Sequence, residues 1–516
     1  MLLLNSRPGH DLDCIDYFCG IGGSSTGLTN AGWNVVLAAN HSKRAIETHS
    51  ANHPDTEHLL ADISAVDVRY FPKARALWAS PICTEISPAG GRRRKGTQFD
   101  MFEEHGHVPS EAFERTRVTF WEVIRAVEVH RFDAVMIENV VEAAEWELFD
   151  IWLAGMDHLG YTHQFVSVSA AHVGGETNPY APQWRDRLYI VFIRDGIRPP
   201  DLDPRPAALC EVCNELVQAV QWWKPNKRTK RAPSRKIGKY GPQYLYVCPN
   251  MKCKNAVVEP FILPAAYAID WTDLGQRIGD RDRPLGAATR RRAQVGLDEI
   301  GNPALIAGAG NTYEAGSYIR AWPALASPTM AATGDVTQAL VSGEPFLTML
   351  RKNGKATPVN GAPAQAFSAG GFHHGLTVPP GAFISKHHGN LDYKAIGHMN
   401  KDVTTQPLPA LVGKINNSLV IPYRKGSKPH RATDQAFSTM ATRQAHGLLQ
   451  TAVELDDCYF RMLKPRESAN AQRFPSDYII TGNQGEQQLG AGNAVACNVA
   501  QWIGTQVAEV LDEVTA

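Results

Sequence analysis

The run Leu12-Asp13-Cys14-Ile15-Asp16-Tyr17 leads directly into Phe18-Cys19-Gly20-Ile21-Gly22-Gly23, and this junction decides the fold. The first run reads as a strand. The glycines after it read as a tight turn, because glycine tolerates the backbone angles such turns need and lets a ligand approach the main chain. Ser24–Ala31 then has helical character, which makes the stretch a strand–turn–helix unit. Working outward, the alternation repeats. Trp33–Ala39 is an apolar strand and Lys43–Asn52 a helix; a short polar connection follows, and Ala76–Ala79 is a strand ending at Ser80-Pro81. Phe113–His130 carries apolar residues at helical spacing (Phe113, Phe120, Val123, Ile124, Val127). Ala134–Ile137 and Leu188–Ile193 are buried-type strands. Such units predict an α/β domain over residues 1–197 with a largely parallel sheet and helices on both faces. Ligands of such sheets sit at the carboxyl ends of the strands. Phe18–Gly23, Asn40, Asp62, Cys83 and Glu138-Asn139 fall there.

The chain has 516 residues, 43% of them hydrophobic and 20% charged, with 52 Lys plus Arg against 52 Asp plus Glu. That balance excludes a wholly disordered chain. No apolar run approaches the roughly 18 residues of a membrane helix. Met1–Leu4 is too short for the apolar core of a signal peptide. The 9 cysteines are odd in number and unevenly placed, which favours a reducing cytosol over a secreted disulfide framework. Zero net charge leaves a nucleic-acid partner open, since local charge matters more than the total.

From about Arg198 proline and glycine rise and helical periodicity fades. Residues 198–260 hold Cys210-x2-Cys213 and Cys248-x4-Cys253, separated by a gap of 34 residues. Two close thiol pairs suit a tetrahedral structural zinc ion. From Leu216 on, the gap carries Lys224, Lys227, Arg228, Lys230, Arg231, Arg235, Lys236 and Lys239 without an acidic residue, beside Trp222 and Trp223, and suggests phosphate contact. Residues 261–455 repeat. Apolar strand starts recur at Phe261-Ile262, Leu305-Ile306, Phe346-Leu347, Phe383-Ile384 and Val420-Ile421. A Pro-x-x-Ala-like step follows (at Pro284, Pro328, Pro363 and Pro407, with Thr433 in the last unit), then a second apolar position at Leu297, Leu340, Leu376, Val420 and Leu448. Units this small must pack on one another. They form either a β scaffold or a set of loops lining a binding face. In the last segment, 456–516, Arg461–Asn470 and Ala494–Val510 read as amphipathic helices, the second returning to the first domain.

Several positions carry chemistry. Cys83, in Ser80-Pro81-Ile82-Cys83-Thr84 at a strand end, is a candidate nucleophile. Glu138, in Glu138-Asn139-Val140, can hydrogen-bond N3 and the exocyclic amine of a pyrimidine. Arg185 and Arg187, in Gln183-x-Arg185-x-Arg187, are one residue apart on a strand and so point to one face. They can grip a carbonyl oxygen and orient the glutamate. Asp62-Ile63 offers a carboxylate and an apolar side to an adenine. Gln488-x-Gly490-x-Gly492-Asn493-Ala494-Val495 reads as a second small-residue turn, opening the last helix. Arg92, Arg93, Arg94 and Lys95 follow Cys83 and either clamp phosphates or form a solvated charge run.

Taken in order, these blocks resemble the DNA cytosine-5 methyltransferase family. Phe18–Gly23 is similar to its S-adenosylmethionine loop and Pro81-Ile82-Cys83 to its Pro-Cys nucleophile loop. Glu138-Asn139-Val140, Gln183-x-Arg185-x-Arg187, Pro465-Arg466-Glu467 and Gly492-Asn493-Ala494-Val495 match later blocks. The resemblance covers about residues 11–195 and 459–512; the part between lies where the family keeps its variable target-recognition region. Two positions depart from the family: Pro-Ile-Cys-Thr replaces Pro-Pro-Cys-Gln, and Ala39-Asn40-His41 replaces a ribose-binding carboxylate.

The resemblance implies a Rossmann-like S-adenosylmethionine-dependent methyltransferase domain plus a target-recognition region, which the spacings above make mostly β and repeat-containing, with a zinc-binding insert. It implies attack of Cys83 on C6 of a flipped cytosine, with Glu138, Arg185 and Arg187 holding the base, methyl transfer to C5, and β-elimination. Phe18, Gly20, Ile21, Gly22, Gly23, Asn40, His41, Asp62, Ile63, Pro81, Asn493 and Ala494 would bind S-adenosylmethionine, and Cys210, Cys213, Cys248 and Cys253 would bind Zn2+. The expected partner is double-stranded DNA, with no membrane, for a monomer in the cytoplasm of a prokaryotic or phage-infected cell. A catalytically inactive DNA-binding homologue, or a same-fold enzyme with a modified donor or an RNA substrate, stay open as alternatives.

Overall fold

The computed structural model describes residues 12–81, 110–225, 234–263 and 455–515 continuously, with short segments between 264 and 454, many as backbone only. The chain divides into two compact units. The first comprises residues 1–269, 326–336 and 463–516, the second 270–325 and 337–462.

The first unit is built on a sheet of 7 strands. They are β1 (Asp13–Tyr17), β2 (Asn34–Asn40), β3 (Glu57–Leu60), β4 (Ala76–Ala79), β5 (Ala134–Asn139), β6 (Tyr161–Ser169) and, after a short β7 (Gln183–Trp184), β8 (Asp186–Arg194). Their order is β3-β2-β1-β4-β5-β8-β6. The strands from β3 to β5 are parallel, and β8 runs antiparallel to both β5 and β6. This is the Rossmann-like α/β arrangement the alternation predicts, with one reversed strand.

Side chains alternate across the sheet, as the pleat requires. Cys14, Trp78, Met136 and Val191 face one core, together with residues from α1 (Gly23–Asn30) and the last helix, α7 (Cys497–Thr515). Ile15, Leu77, Val135 and Phe192 face the other, against α3 (Ser110–His130) and α4 (Phe149–His158). The remaining helices are α2 (Lys43–Asn52), α5 (Pro465–Asn470) and α6 (Gln484–Asn493). The last helix does return to the first domain. The Trp33 indole donates to Gly504 O at 2.9 Å. Gly27 is required there, because a Cβ would lie 2.5 Å from that of Ala500.

Three expectations for the C-terminal segment change. Tyr459–Met462 is a strand, so the helix expected over 461–470 begins only at Pro465, where proline fits the first helical turn. The last helix, expected over 494–510, starts at Cys497 and runs to Thr515, after a separate helix α6 that ends at Asn493. The small-residue run 488–493 is therefore the end of a helix rather than a turn opening one.

The insert starts with β9 (Ala207–Cys210) and β10 (Glu215–Gln218), an antiparallel pair. β11 (Val220–Trp223), β12 (Tyr244–Val247) and β13 (Val257–Val258) form a second small sheet.

In the second unit the sequence repeat becomes a register. Leu305 faces Leu340, Leu347 faces Leu376, and Val420 faces Leu448, each pair across two antiparallel strands. A short third strand joins each pair, at 321–323, 357–358 and 430–431. Each of these three units thus contributes three antiparallel strands, those of the first lying within a five-stranded sheet. Phe261-Ile262 is not a strand, because Pro260 and Pro264 flank it and proline cannot donate to a ladder. Leu297 and Phe383-Ile384 lie outside the described residues.

Candidate active site

Reversal of β8 creates the site. Because β5 and β8 are antiparallel, Asn139 pairs with Leu188 and Glu138 with Tyr189. The end of one strand and the start of the other therefore meet at the same edge. Glu138 is 7% exposed there, and the Arg187 Nε donates to its Oε1 at 3.0 Å. Neighbouring Asn139 donates from Nδ2 to Pro81 O at 3.1 Å, and its own Oδ1 accepts from Val140 N at 2.8 Å. This ties the end of β5 to the chain leaving β4. Cys83, two positions past Pro81, lies outside the described residues, as do Arg92, Arg93, Arg94 and Lys95.

Arg185 does not share a strand face with Arg187. The ladder is interrupted at Arg185, between β7 and β8, so the period-two rule does not run across it. Buried to 3% exposure, Arg185 donates to Ala494 O at 2.6 Å and to Gly492 O at 3.3 Å. It joins the α6–α7 connection to this edge.

At the end of β1, Phe18 (φ 59°), Gly20 (φ 55°) and Gly22 (φ 94°) adopt left-handed backbone angles. A Cβ at Gly20 would meet nothing within 4 Å, so there is room above the turn. Gly23 opens α1 and lies against the C-terminal segment, where a Cβ would stand 2.1 Å from Val495 O. Gly22 caps α1 without a side-chain bond, and the first turn holds no acidic residue. Its N–H groups suit an anionic ligand group. Ile21 is buried with Phe474, Tyr478 and Ala494, and its carbonyl accepts from the Tyr478 hydroxyl at 2.5 Å. Asn40 is buried at the end of β2, its Oδ1 accepting from Ser42 N at 2.9 Å, and His41 is exposed. Asp62 is exposed and caps a short turn by accepting from Ser64 N at 3.0 Å. Ile63 is 2% exposed and points into the core. Asn493 is exposed at the end of α6.

Beneath the turn, Asp16 Oδ2 accepts from Ser24 and Ser25 hydroxyls at 2.6 and 2.7 Å. Burial pushes its pKa up to about 7. His49 bridges Ser25 and His58 at 2.9 and 2.8 Å, and His53 lies 3.1 Å from Thr26 Oγ1. Burial lowers all three histidines, His53 to about 4. They are neutral at pH 7.

The family model for C-5 cytosine-specific DNA methylases matches residues 12–235 and 385–509, which is most of the chain. The chain belongs to this family. The Type II methyltransferase M.AgeI of Thalassovita gelatinovora is 29% identical over 202 residues, covering 37% of this chain and 41% of that protein. M.SacI of Streptomyces achromogenes is 26% identical over 210 residues, covering 36% and 49%. The chain thus spans less than half the length of these curated relatives. Among solved structures, a DNMT2 of Spodoptera frugiperda aligns over 97% of this chain and 99% of its own, at 13% identity and a TM-score of 0.44. Among the described residues no helix is long and apolar enough to cross a membrane.

The insert brings its cysteines together. The sulfurs of Cys210, Cys213, Cys248 and Cys253 all lie within 4.8 Å of one another, with Cys210–Cys253 and Cys213–Cys248 both at 3.9 Å. That is far beyond a disulfide bond of about 2.05 Å. It is close to the sulfur–sulfur edge of a tetrahedron with metal–sulfur bonds of about 2.3 Å, which is about 3.8 Å. The backbone N–H groups of Cys213 and Val212 lower the Cys210 thiol to about 7, and Asn250 Nδ2 donates to the Cys213 sulfur at 3.4 Å.

The basic gap is put partly to another use than expected. Lys239 pairs with Glu142 at 2.5 Å, Arg235 pairs with Asp150, and Lys224 donates to Gly241 O. These charges face protein groups. Lys227, Arg228, Lys230 and Arg231 lie outside the described residues. Sequence reasoning missed Asp186, Tyr240 and His172, and assigned Lys239 to phosphate where the structure pairs it with Glu142. Tyr240 N donates to Asp186 Oδ1 at 3.1 Å. His172, which burial pushes down to about 3, packs against Tyr240, Tyr246 and Trp184 at 4.5, 5.1 and 5.2 Å. No local pattern marks these partners, because they are far apart along the chain.

Proposed function

We propose that the chain is a DNA cytosine C5-methyltransferase. The observation that carries this reading is the Glu138–Arg187 pair at a sheet edge whose neighbour Asn139 holds Pro81, two positions before Cys83 in the sequence. C5 of cytosine is a weak nucleophile. Addition of the Cys83 thiolate to C6 gives C5 enamine character. Glu138 holds the proton at N3, and Arg187 keeps the glutamate oriented, while Arg185 fixes the α6–α7 connection behind them. S-adenosylmethionine, when bound, supplies an electrophilic methyl to C5. Loss of the C5 proton and departure of the Cys83 sulfur then restore the ring. The target atom is hidden within a duplex, so the base must be flipped out, at a cost of a few kcal/mol.

For the cofactor, the open turn Phe18–Gly23, the uncapped start of α1 and the polar Asn40 and Asp62 at neighbouring strand ends fit a zwitterionic nucleoside donor. On the same reading Pro81, His41, Ile63, Asn493 and Ala494 would complete the donor site. Asn40 in place of a carboxylate would hold a ribose hydroxyl without charge. The cysteine cluster fits Zn2+ in a structural role, with four sulfur ligands and no open position. We extend the reading to double-stranded DNA as substrate, to a monomer, and to the cytoplasm of a prokaryotic or phage-infected cell, the last in keeping with relatives named Type II methyltransferases.

The test is methyl transfer from labelled S-adenosylmethionine to duplex DNA, with the product base identified by mass. The wild-type chain should form 5-methylcytosine and Cys83→Ser should not. Full activity in Cys83→Ser, or transfer to RNA and not DNA, would overturn the reading. Metal analysis should return one zinc per chain and none in Cys253→Ser.

A further inference from the structure

Segment 238–240 of the insert touches the sheet at three points around the Glu138–Arg187 pair. Lys239 Nζ reaches Glu142 Oε1 at 2.5 Å, in the short turn Val141–Glu145 that directly follows β5 and Val140. Tyr240 N donates to Asp186 Oδ1 at 3.1 Å, and Asp186 is the residue before Arg187. Gly238 N donates to Ser167 Oγ at 3.1 Å, and Ser167 sits across the ladder from Leu188. Strand β11 also reaches Ser167, whose carbonyl accepts from Gln221 Nε2 at 2.8 Å. Two consecutive residues therefore bridge the chain leaving Glu138 and the chain entering Arg187. They are themselves locked. Lys239 N donates to Gln243 Oε1 at 2.8 Å and its carbonyl accepts from Gln243 N at 3.0 Å. Gln243 precedes β12, which runs straight into Cys248 of the metal cluster.

We propose that Lys239 and Tyr240 form a positioning staple, through which the metal-held insert sets the geometry of Glu138 and Arg187 for reaction. The proposal rests on the methyltransferase reading above. Both ends it holds are ends of strands. Asn139 is the last residue of β5, and Arg187 follows the interruption of the ladder at Arg185. Strand ends lack a continuing ladder and need outside support. The staple also gives Asp186 its task. Its pKa is raised by burial and drawn back by the Tyr240 N–H and by Lys239 and Arg187. It accepts the Tyr240 N–H with its side chain while its carbonyl accepts from the Arg187 Nη1 at 2.9 Å. One residue thus couples the insert's backbone to the guanidinium beside Glu138.

The Lys239–Glu142 pair is partly exposed, at 38% and 18%. Removing it should shift the melting temperature by no more than about 2 °C. A small misplacement of reacting groups, in contrast, slows chemistry strongly. The experiment uses the full zinc-loaded chain on a cytosine-containing duplex. Lys239→Met and Glu142→Gln are each expected to lower kcat about tenfold, with KM for DNA and for S-adenosylmethionine within about twofold of wild type. The charge-swapped double variant K239E/E142K should recover most of the kcat that each swapped single variant loses. Unchanged kcat in the single variants overturns the proposal. So does a rise in KM for DNA with kcat intact, which makes Lys239 a phosphate contact, and so does a double variant no faster than its slower parent. An inactive wild-type chain refutes the methyltransferase reading itself, and this inference with it; an active wild-type chain with indifferent variants refutes the staple alone.

Discussion

Side chains on the two faces of the seven-stranded sheet, such as Trp78, Met136 and Val191 on one and Leu77, Val135 and Phe192 on the other, are at most 1% exposed. The insert presents a different surface. Its core gathers small and aromatic residues such as Ala208, Val217, Tyr244 and Tyr246 around the cysteines. Leu216 and Met251 remain 73% and 94% exposed. The sheet domain packs its apolar side chains into two cores, one on each face. The insert has a single smaller core, and on the zinc reading proposed above the four converging sulfurs would add ligand bonds to it. On that reading the insert answers to ligand chemistry, and the sheet domain to volume.

The largest expected effect tests that contrast at its root. Cys248→Ser should lose nearly all bound zinc and melt the insert, because structural zinc contributes about 10–16 kcal/mol in small domains. Methyl transfer should fall at least about a hundredfold, while the main unfolding transition of the sheet domain stays in place. A single lowered transition for the whole chain would erase the distinction between the two regions.

The reciprocal change comes next. Trp152 is fully buried, and its indole donates to Phe120 O at 2.9 Å. Trp152→Ala should destabilise the sheet domain by about 3–5 kcal/mol in a denaturant titration. Zinc content should remain at the wild-type value. Loss of zinc in that variant would show that the insert depends on the sheet's packing.

A third substitution sharpens the comparison at the junction of the two regions. Arg187→Ala leaves Glu138 without its pair. It should reduce kcat about a hundredfold, equivalent to about 2.7 kcal/mol, with zinc content and melting temperature nearly unchanged. An equal fall in stability and rate would make the pair structural.

The smallest effect is the response to acid. His53 is neutral in the fold, its pKa lowered to about 4 against an ordinary 6.5. The stability it contributes is therefore fully present above pH 6.5 and is lost as pH falls toward 4. Asp16 acts with the opposite sign. Its pKa is raised to about 7, so its contribution is largest below its ordinary 3.8 and is lost as pH rises toward 7. His53→Gln should flatten the fall in melting temperature between pH 6.5 and 4, and Asp16→Asn should steepen it. Parallel curves for wild type and His53→Gln would show that His53 does not titrate in this way.

Much of the sheet domain was legible. Lys43–Asn52 and Ala76–Ala79 are observed with the bounds their patterns suggest. The two cysteine pairs and the apolar repeat were visible as spacings, and the register turns each into geometry. Other features were hidden. Strand β3 reads as polar connection because only part of Glu57–Leu60 is covered. Helix α4 and strand β6 went unread, although Phe149, Trp152, Leu153 and Met156 line one face of the helix. The pairing of Arg185 with Arg187 looked like one strand face, and a break in the ladder separates them.

By itself the sequence determined the alternation of strands and helices, the glycine turn after β1 and the thiol pairs, because each depends on neighbours within a few positions along the chain. Only the tertiary structure decided that Glu138 meets Arg187, that Arg185 turns to the carbonyls of Gly492 and Ala494, and that Lys239 and Tyr240 reach the same edge. Those meetings follow from strand order and from the reversal of one strand. Sheet pairing is set by the burial of both faces at once, a condition no local run of residues expresses.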